Sequence, residues 1–365
     1  MVIDKRDINV YCNSSYSKWM VYKMANIPKS NQSPLYQIGI IYNLKRDAAS
    51  NLPDDEAEYD DYDTILAIKS ALEGNNCRVK LFEATEELPL MLANHKVDIV
   101  FNIAEGTKGR GREAQVPAIL NFFQLPFTGS DETTLCIALD KALTKRLLAS
   151  YHIKTPKYIV VRKEMPIVTG KFAYPAIVKP NAEGSSKGIS NLSIVVNTNE
   201  LRQLLLRDMD LYRQDMLVEE YIDGREFTVG IIGNGKDIRV FPPMEIIYTD
   251  RKKLYNIYSY EVKKDFKKYI RYECPAKISI DTQTEIENTA RKIYEILNCK
   301  DFARIDFRLS PTGGLYFIEI NPLPGLAPGY SDFPMIAEFN GMDYTCLIRS
   351  ILYSALKRYH LNFNL

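Results

Sequence analysis

The sequence predicts an α/β unit followed by α+β units, and three observations carry that prediction. Between residues 36 and 103 short apolar runs of strand character alternate with a helical pattern, the signature of a parallel sheet covered by helices. The last third instead holds two polar–apolar alternating strands around a tight turn, the signature of an antiparallel hairpin. The chain length of 365 residues suffices for two or three domains with well-buried cores.

The elements follow in order. Residues 1–34 are polar and tyrosine-rich and read as an extension with little periodicity. Tyr36–Tyr42 is a strand, Thr64–Leu72 a helix closed by Gly74-Asn75-Asn76, and Arg78–Phe82 and Val97–Ile103 two further strands. A helix is expected over Val116–Phe123 and a longer one over Thr133–Ser150, ahead of strands that include Pro175–Pro180. Met216–Ile222 and Glu226–Ile232 read as strands and Thr282–Leu297 as an amphipathic helix. Ala303–Leu309 and Leu315–Asn321 form the hairpin, and a last helix covers Tyr344–Tyr359.

Composition narrows the chemistry. The chain is 46% hydrophobic and 25% charged with a net charge of +1, which gives no case for a nucleic-acid partner. No run approaches a membrane span, and the N-terminus lacks an apolar leader, so a cytoplasmic protein is expected. Six scattered cysteines form no CxxC pair, so free thiols are expected rather than zinc or disulfides. The three histidines, His95, His152 and His360, lie near no Ser, Cys or metal-ligand pattern. Chemistry should therefore rest on Lys, Arg, Asp and Glu.

Two constellations stand out. In Lys179-Pro180-Asn181-Ala182-Glu183-Gly184-Ser185-Ser186-Lys187-Gly188, small residues and lysine follow a strand. Backbone amides and hydroxyls there can wrap phosphate oxygens, and the same residues also suit a plain hairpin turn. In the late hairpin, Arg304 and Asp306 share one strand face, as do Glu319 and Asn321. Carboxylates with an amide oxygen suit magnesium held against phosphates, and Arg304 can neutralise charge on a transferring phosphoryl group. A wet surface hairpin or a structural Arg–Asp pair is the plainer alternative. Asn321-Pro322-Leu323-Pro324-Gly325 then places a Pro-Gly turn whose amides can meet an oxyanion. Gly230–Lys236 has Walker spacing, but Asp237 stands where Ser or Thr is required. Gly109-Arg110-Gly111-Arg112-Glu113-Ala114 imitates a dinucleotide fingerprint without its βαβ unit.

Taken together and in order, these segments resemble the ATP-grasp superfamily, and within it the D-alanine–D-alanine ligase branch. The residues that carry the resemblance are Thr128-Gly129-Ser130 with Leu139-Asp140-Lys141, and Val178-Lys179-Pro180 with Glu183-Gly184-Ser185-Ser186. They continue with Val218-Glu219-Glu220-Tyr221-Ile222, Gly224–Val229, Arg304-Ile305-Asp306 and Glu319–Gly325. The resemblance implies a three-domain ATP-grasp fold: an N-terminal α/β domain over 35–130, a small central α+β lid domain over 131–215 and a C-terminal α+β domain over 216–365. It implies an enzyme, an ATP-dependent carboxylate–amine ligase acting through an acyl phosphate on small-molecule substrates, amino acids among them; a homodimer is compatible with this reading.

By that resemblance Lys141, Lys179, Glu183, Ser185 and Ser186 serve the ATP phosphates. Glu219, Glu220 and Ile222 serve the adenine and its surroundings, and Glu226 the ribose. Asp306, Glu319 and Asn321 hold two Mg²⁺ ions, with Mn²⁺ as a substitute, and Arg304, Ser185 and the Gly325 amide assist the chemistry. Tyr258–Lys264 looks like the family's mobile lid, with Lys263 reaching a phosphate. The departures are local. Asn43-Leu44-Lys45-Arg46-Asp47 replaces the family's S-x-E-R-E-x-S segment, and Glu105-Gly106 replaces its His-Gly. Lys264 replaces the lid Tyr, and Pro328–Asp332 replaces its His-Ser-Leu. They imply substrates other than D-alanine; a genuine D-alanine–D-alanine ligase and a non-catalytic ATP-binding regulator are the alternatives.

Overall fold

The computed structural model describes residues 36–46, 56, 58–74, 77–162, 172–184, 193–249 and 255–361. The expected extension over 1–34 and the loop residues Ser185 and Ser186 lie outside them.

Three sheets organise the described chain. The first is parallel, in the order β2-β1-β3, with β1 Tyr36–Tyr42, β2 Cys77–Glu83 and β3 Ile99–Asn102. Its central strand, β1, is a near-continuous apolar run because both faces are covered. Ile40 and Ile38 pack on the face of α1 (Tyr62–Leu72), while Ile41 and Val100 pack toward α2 (Leu88–Asn94) and α3 (Gln115–Phe122). Each such buried side chain contributes about 1.5–3 kcal/mol.

The helix expected over Thr133–Ser150 is two helices, α4 Glu132–Leu139 and α5 Lys141–Ser150. Asp140 breaks it: its backbone is extended and its side chain caps α5 by accepting from the Leu143 amide. A short polar residue competes with the helix by offering the backbone another partner. The break points Lys141 out of the first turn of a new helix.

The second sheet is antiparallel, in the order β4-β7-β5-β6, from β4 Tyr158–Val161, β5 Ala176–Pro180, β6 Ile194–Val195 and β7 Met216–Glu220. Helix α6 (Thr198–Tyr212) covers it with Leu201, Leu204, Leu205 and Met209. The expected boundary at residue 215 thus falls at the start of a strand that pairs with the strands before it.

The third sheet has six strands, running β11-β10-β8-β12-β13 with β9 (Arg239–Val240) paired to β8. Its strands are β8 Arg225–Ile232, β10 Met244–Tyr248, β11 Ile270–Glu273, β12 Phe302–Leu309 and β13 Leu315–Asn321. Two short helices, α7 Tyr260–Lys264 and α8 Phe266–Tyr269, precede β11. One face packs on Ile286, Ala290, Ile293 and Tyr294 of α9 (Ile280–Ile296) and on Ala138 and Leu148 of α4 and α5. After α10 (Asp332–Phe339), α11 (Tyr344–Arg358) returns to the first sheet, where Leu347, Ile348 and Ile351 join the core of α1. Arg349 Nε donates to the Ala71 carbonyl across that contact at 2.8 Å. Among the described residues no helix is long and apolar enough to cross a membrane.

Candidate functional site

The hairpin β12–β13 builds the floor of the site. Arg304 faces Asn321 and Asp306 faces Glu319 in register, while Ala303, Ile305 and Phe307 point into the core behind. Period-2 alternation therefore puts four polar groups on one face. Arg304 clamps Asp306 with two bonds, Nε to Oδ1 at 3.1 Å and Nη2 to Oδ2 at 3.0 Å. Its third nitrogen, Nη1, lies 3.5 Å from Asp332 Oδ2 at the start of α10. Asp332 Oδ1 accepts from the Tyr258 hydroxyl at 2.8 Å and the Tyr272 hydroxyl at 3.1 Å, which are 2.6 Å apart. One carboxylate thus joins the hairpin arginine to the segment leading into α7.

Above the hairpin stand four lysines. Lys141 pairs with Glu319 at 3.6 Å and donates to the Glu183 carbonyl. The Lys141 amide bonds the Asn181 carbonyl, and Asn181 Nδ2 bonds the capping Asp140, so α5 and the start of the 181–188 loop are tied together. Lys145, 0% exposed, donates to the Ile318 carbonyl at 2.9 Å and meets Glu219 Oε1 at 2.7 Å. Lys179 meets the other oxygen of Glu219 at 2.5 Å. Burial, together with the charge of Lys179, holds Lys145 down at about 8 although Glu219 opposes the shift. Against burial, Lys145 and Lys179 hold the Glu219 carboxyl below its usual value. Glu319 is likewise held down, at about 2, by Lys141, Lys179, Lys263 and Arg304 against its own burial. Burial and the charge of Arg304 lower Lys263, whose Nζ lies 4.9 Å from the Tyr258 ring centre.

At the other end of this surface Glu226 accepts from the Tyr248 hydroxyl at 2.7 Å and from Arg308 Nη2 at 2.8 Å. Arg308 also donates to the Ile222 carbonyl at 2.8 Å and the Asn256 carbonyl at 2.6 Å. Glu219 does not join Ile222 and Glu226; its carboxylate is taken by the two lysines. Glu220, the next residue of β7, is half-buried and faces away from Glu219 by strand alternation.

A cleft continuous with Lys141, Arg304, Asn321 and Gly325 is also lined by Glu58, Glu105 and Glu113. Glu58 sits under Arg112, whose Nη2 lies 2.7 Å from both its oxygens, and the Gly184 amide also donates to it. Arg112 reaches Glu183 Oε2 at 3.1 Å as well. Oxygens of Glu58, Glu105 and Glu113 lie within 4.8 Å of one another. Burial, then the neighbouring glutamates, push Glu113 up to about 8 and Glu105 well above the usual carboxylate range.

Most predicted residues therefore share one surface: Lys141, Lys179, Glu183, Lys263, Arg304, Asp306, Glu319, Asn321 and Gly325. Ser185 and Ser186 fall outside the described residues. Sequence reasoning gave no site role to Lys145, Arg308, Asp332, Glu58 or Arg112, although Arg112 and Asp332 lie in segments it singled out. Two of these left a signal, since Lys145 is one helical turn from Lys141 and Arg308 continues the alternation of Arg304 and Asp306. Glu113 lies in the segment that imitates a dinucleotide fingerprint; that segment turns in a 3₁₀ helix, Arg112–Ala114, and lines the acidic cleft instead.

The donors on the hairpin fit a hard divalent cation. Asp306 and Glu319 offer carboxylate oxygens and Asn321 an amide oxygen, and the neighbouring cations keep Glu319 ionised. The surrounding lysines and Arg304 suit a polyanion lying above it.

Comparison with known proteins places this geometry. The sequence matches the family model described as D-ala D-ala ligase C-terminus over residues 147–353. It is 35% identical to the D-alanine–D-alanine ligase of Aquifex aeolicus over 79% of this chain and 93% of that protein. The D-alanine–D-alanine ligase of Bacillus anthracis complexed with ATP superposes with a TM-score of 0.69 at 20% identity, over 89% of this chain and 99% of that one. The VanG D-Ala:D-Ser ligase of Enterococcus faecalis superposes with a TM-score of 0.68 at 20% identity, over 88% and 99% of the two chains. At such identities the structural likeness speaks for the fold.

Proposed function

The chain belongs to the D-alanine–D-alanine ligase family of ATP-grasp enzymes, and from that premise we propose that it joins a small carboxylate substrate to an amine other than the D-alanine pair. The single observation that carries the assignment of roles is the polar face of β12–β13 beneath Lys141, Lys179 and Lys263. Three units then share the work: an N-terminal α/β unit, a central unit around β4–β7, and a C-terminal unit around the large sheet, with ATP between the last two.

In this reading Lys141, Lys179 and Lys263 hold the ATP phosphates. Ile222 and Glu226, fixed by Arg308, frame the base and ribose, and Glu219 is the counter-charge that keeps Lys145 and Lys179 in place. Asp306, Glu319 and Asn321 would hold two Mg²⁺ ions, which supply charge neutralisation along the transferring phosphoryl group. A carboxylate oxygen of the first substrate attacks the γ-phosphorus and ADP leaves. The amine nitrogen of the second substrate then attacks the acyl carbon, loses its proton, and phosphate departs. Arg304 and the Gly325 amide, which makes no hydrogen bond among the described residues, are aimed at the oxyanion of that second step. Positioning and charge, rather than acid–base groups, do most of the catalysis.

The departure from D-alanine rests on the acceptor side. Glu105 stands where the family has His, and the segment replacing its His-Ser-Leu delivers Asp332 to Arg304. Pairwise incubation of amino acids and small carboxylates with ATP and Mg²⁺, read by phosphate release and product mass, tests the proposal. D-alanine as the sole productive substrate would overturn it.

A further inference from the structure

Two carboxylates of the acidic cleft have no role in the scheme above. Glu113 is 8% exposed, lines the cleft, and neither accepts a hydrogen bond nor pairs with a cation at contact distance among the described residues. Glu105, half-buried, is in the same position. The rest of the cluster is satisfied. Glu58 is held by Arg112 and the Gly184 amide, and Glu183 by Arg112 and by Gln214 Nε2 at 2.6 Å. A buried carboxylate without a partner is costly unless something else supplies the positive charge. The same cleft reaches Arg304 and Gly325, so a substrate bound for carboxyl chemistry passes beside both glutamates.

We propose that Glu105 and Glu113 form a subsite for a substrate bearing two ammonium groups, a diamino acid or a diamine, set beside the Arg304–Gly325 end of the cleft. The unpartnered carboxyls number two; each holds its proton in the empty cleft and can release it to meet an ammonium group, and a single α-ammonium leaves one of them without a partner. The competing occupant is a divalent metal, which the same trio of carboxyls would attract, and the test below sets the two against each other. Ammonium groups need only one or two carboxylates each and donate hydrogen bonds that both glutamates can accept. The substrate class rests on the ligase reading, whereas the existence of a cation subsite does not.

The test separates the two. Full-length protein, loaded with Mg²⁺ and a non-hydrolysable ATP analogue, is titrated with α,ω-diamino acids of increasing chain length, a simple diamine, and alanine. At least one dication is expected to bind about tenfold or more tighter than alanine, the scale of a charged hydrogen bond. That preference should collapse toward one in Glu113→Gln and in Glu105→Gln. Both variants keep shape while removing charge, and a thermal melt verifies folding. Equal binding of alanine and all dications, no binding of any amine, or Mn²⁺ or Ca²⁺ occupying the cluster in a Glu113-dependent way without amine discrimination would each overturn the subsite. Phosphate release is followed separately with hydrolysable ATP. Turnover with neutral amino acids that ignores Glu113→Gln leaves the ligase and removes the subsite. Glu113-dependent dication binding without any turnover removes the ligase and leaves the subsite.

Discussion

The two regions that meet at Lys141 are both crowded with buried charge, yet they are built in opposite ways. On the hairpin side every acid has a basic partner at contact distance: Glu219 holds Lys145 and Lys179, Asp306 and Asp332 hold Arg304, and Glu319 faces Lys141. On the acidic side two glutamates stand unpaired among the described residues, within reach of a third. The first region is prepared before any ligand arrives, and removing one member strands a buried charge. The second is incomplete, so neutralising a member relieves the empty protein. The two regions should therefore answer the same kind of substitution with opposite signs.

The largest effect should come from Glu219→Gln. It leaves Lys145 and Lys179 buried around a neutral amide, and loss of one partner of a buried pair costs about 3–5 kcal/mol. Denaturant unfolding measures it; a change below about 1 kcal/mol would mean that water reaches the pair, as for exposed bridges. Arg304→Ala follows. Removing a group aimed at an oxyanion lowers kcat by about 10²–10³, and here it also frees Asp306 and Asp332 to repel each other. Steady-state phosphate release against ATP concentration reads the loss, with little change expected in ATP binding. Arg308→Lys is smaller. A lysine cannot reach Glu226, Ile222 and Asn256 together, so the KM for ATP should rise about tenfold with kcat nearly kept. A fall in kcat alone would place Arg308 outside nucleotide binding.

The two regions also differed in how far the sequence revealed them. The hairpin was legible because its chemistry is local: alternation pairs Arg304 with Asp306 and Glu319 with Asn321 on their own strands, while a register shift between Asp306 and Phe307, which the turn at 310–314 does not announce, sets the two pairs opposite each other. The β-α-β alternation likewise announced the parallel sheet. The acidic cleft was not legible, because Glu58 comes from the β1–α1 connection and Glu105 and Glu113 from opposite ends of the β3–α3 connection, Glu113 in its 3₁₀ helix, and only tertiary packing brings them together. The split at Asp140 was hidden for a related reason. Its flanks are good helix formers, and the break is decided by a capping bond and by Asn181, which lies 41 residues further on. Lys145 and Arg308 fall between these cases: their spacing was visible, but their partners were not.

Glu113→Gln gives the smallest effect and the one with the reversed sign. The carboxyl, ordinarily near 4.5, sits at about 8 because burial disfavours its charge; Glu58 and Glu183 push the same way and Arg112 and Lys141 the other. Between about pH 5 and pH 8 the folded protein therefore keeps a proton that the unfolded chain has released. More protons bound to the native state means that stability falls as pH rises through this window. Glutamine has nothing to titrate, so the variant should be more stable than the parent by on the order of 1 kcal/mol at pH 8 and nearly equal to it at pH 5. Glu105, raised for the same reasons and partly by Glu113 itself, remains in the variant, so the slope is reduced rather than abolished. Thermal melts of both proteins at pH 5 and pH 8 decide the matter. A destabilised variant at both values would mean that Glu113 is paired in solution, and the contrast between the two regions would disappear. A gain confined to high pH that vanishes when a diamino acid is added would show the same carboxylate passing from a cost in the empty protein to a contact in the occupied one.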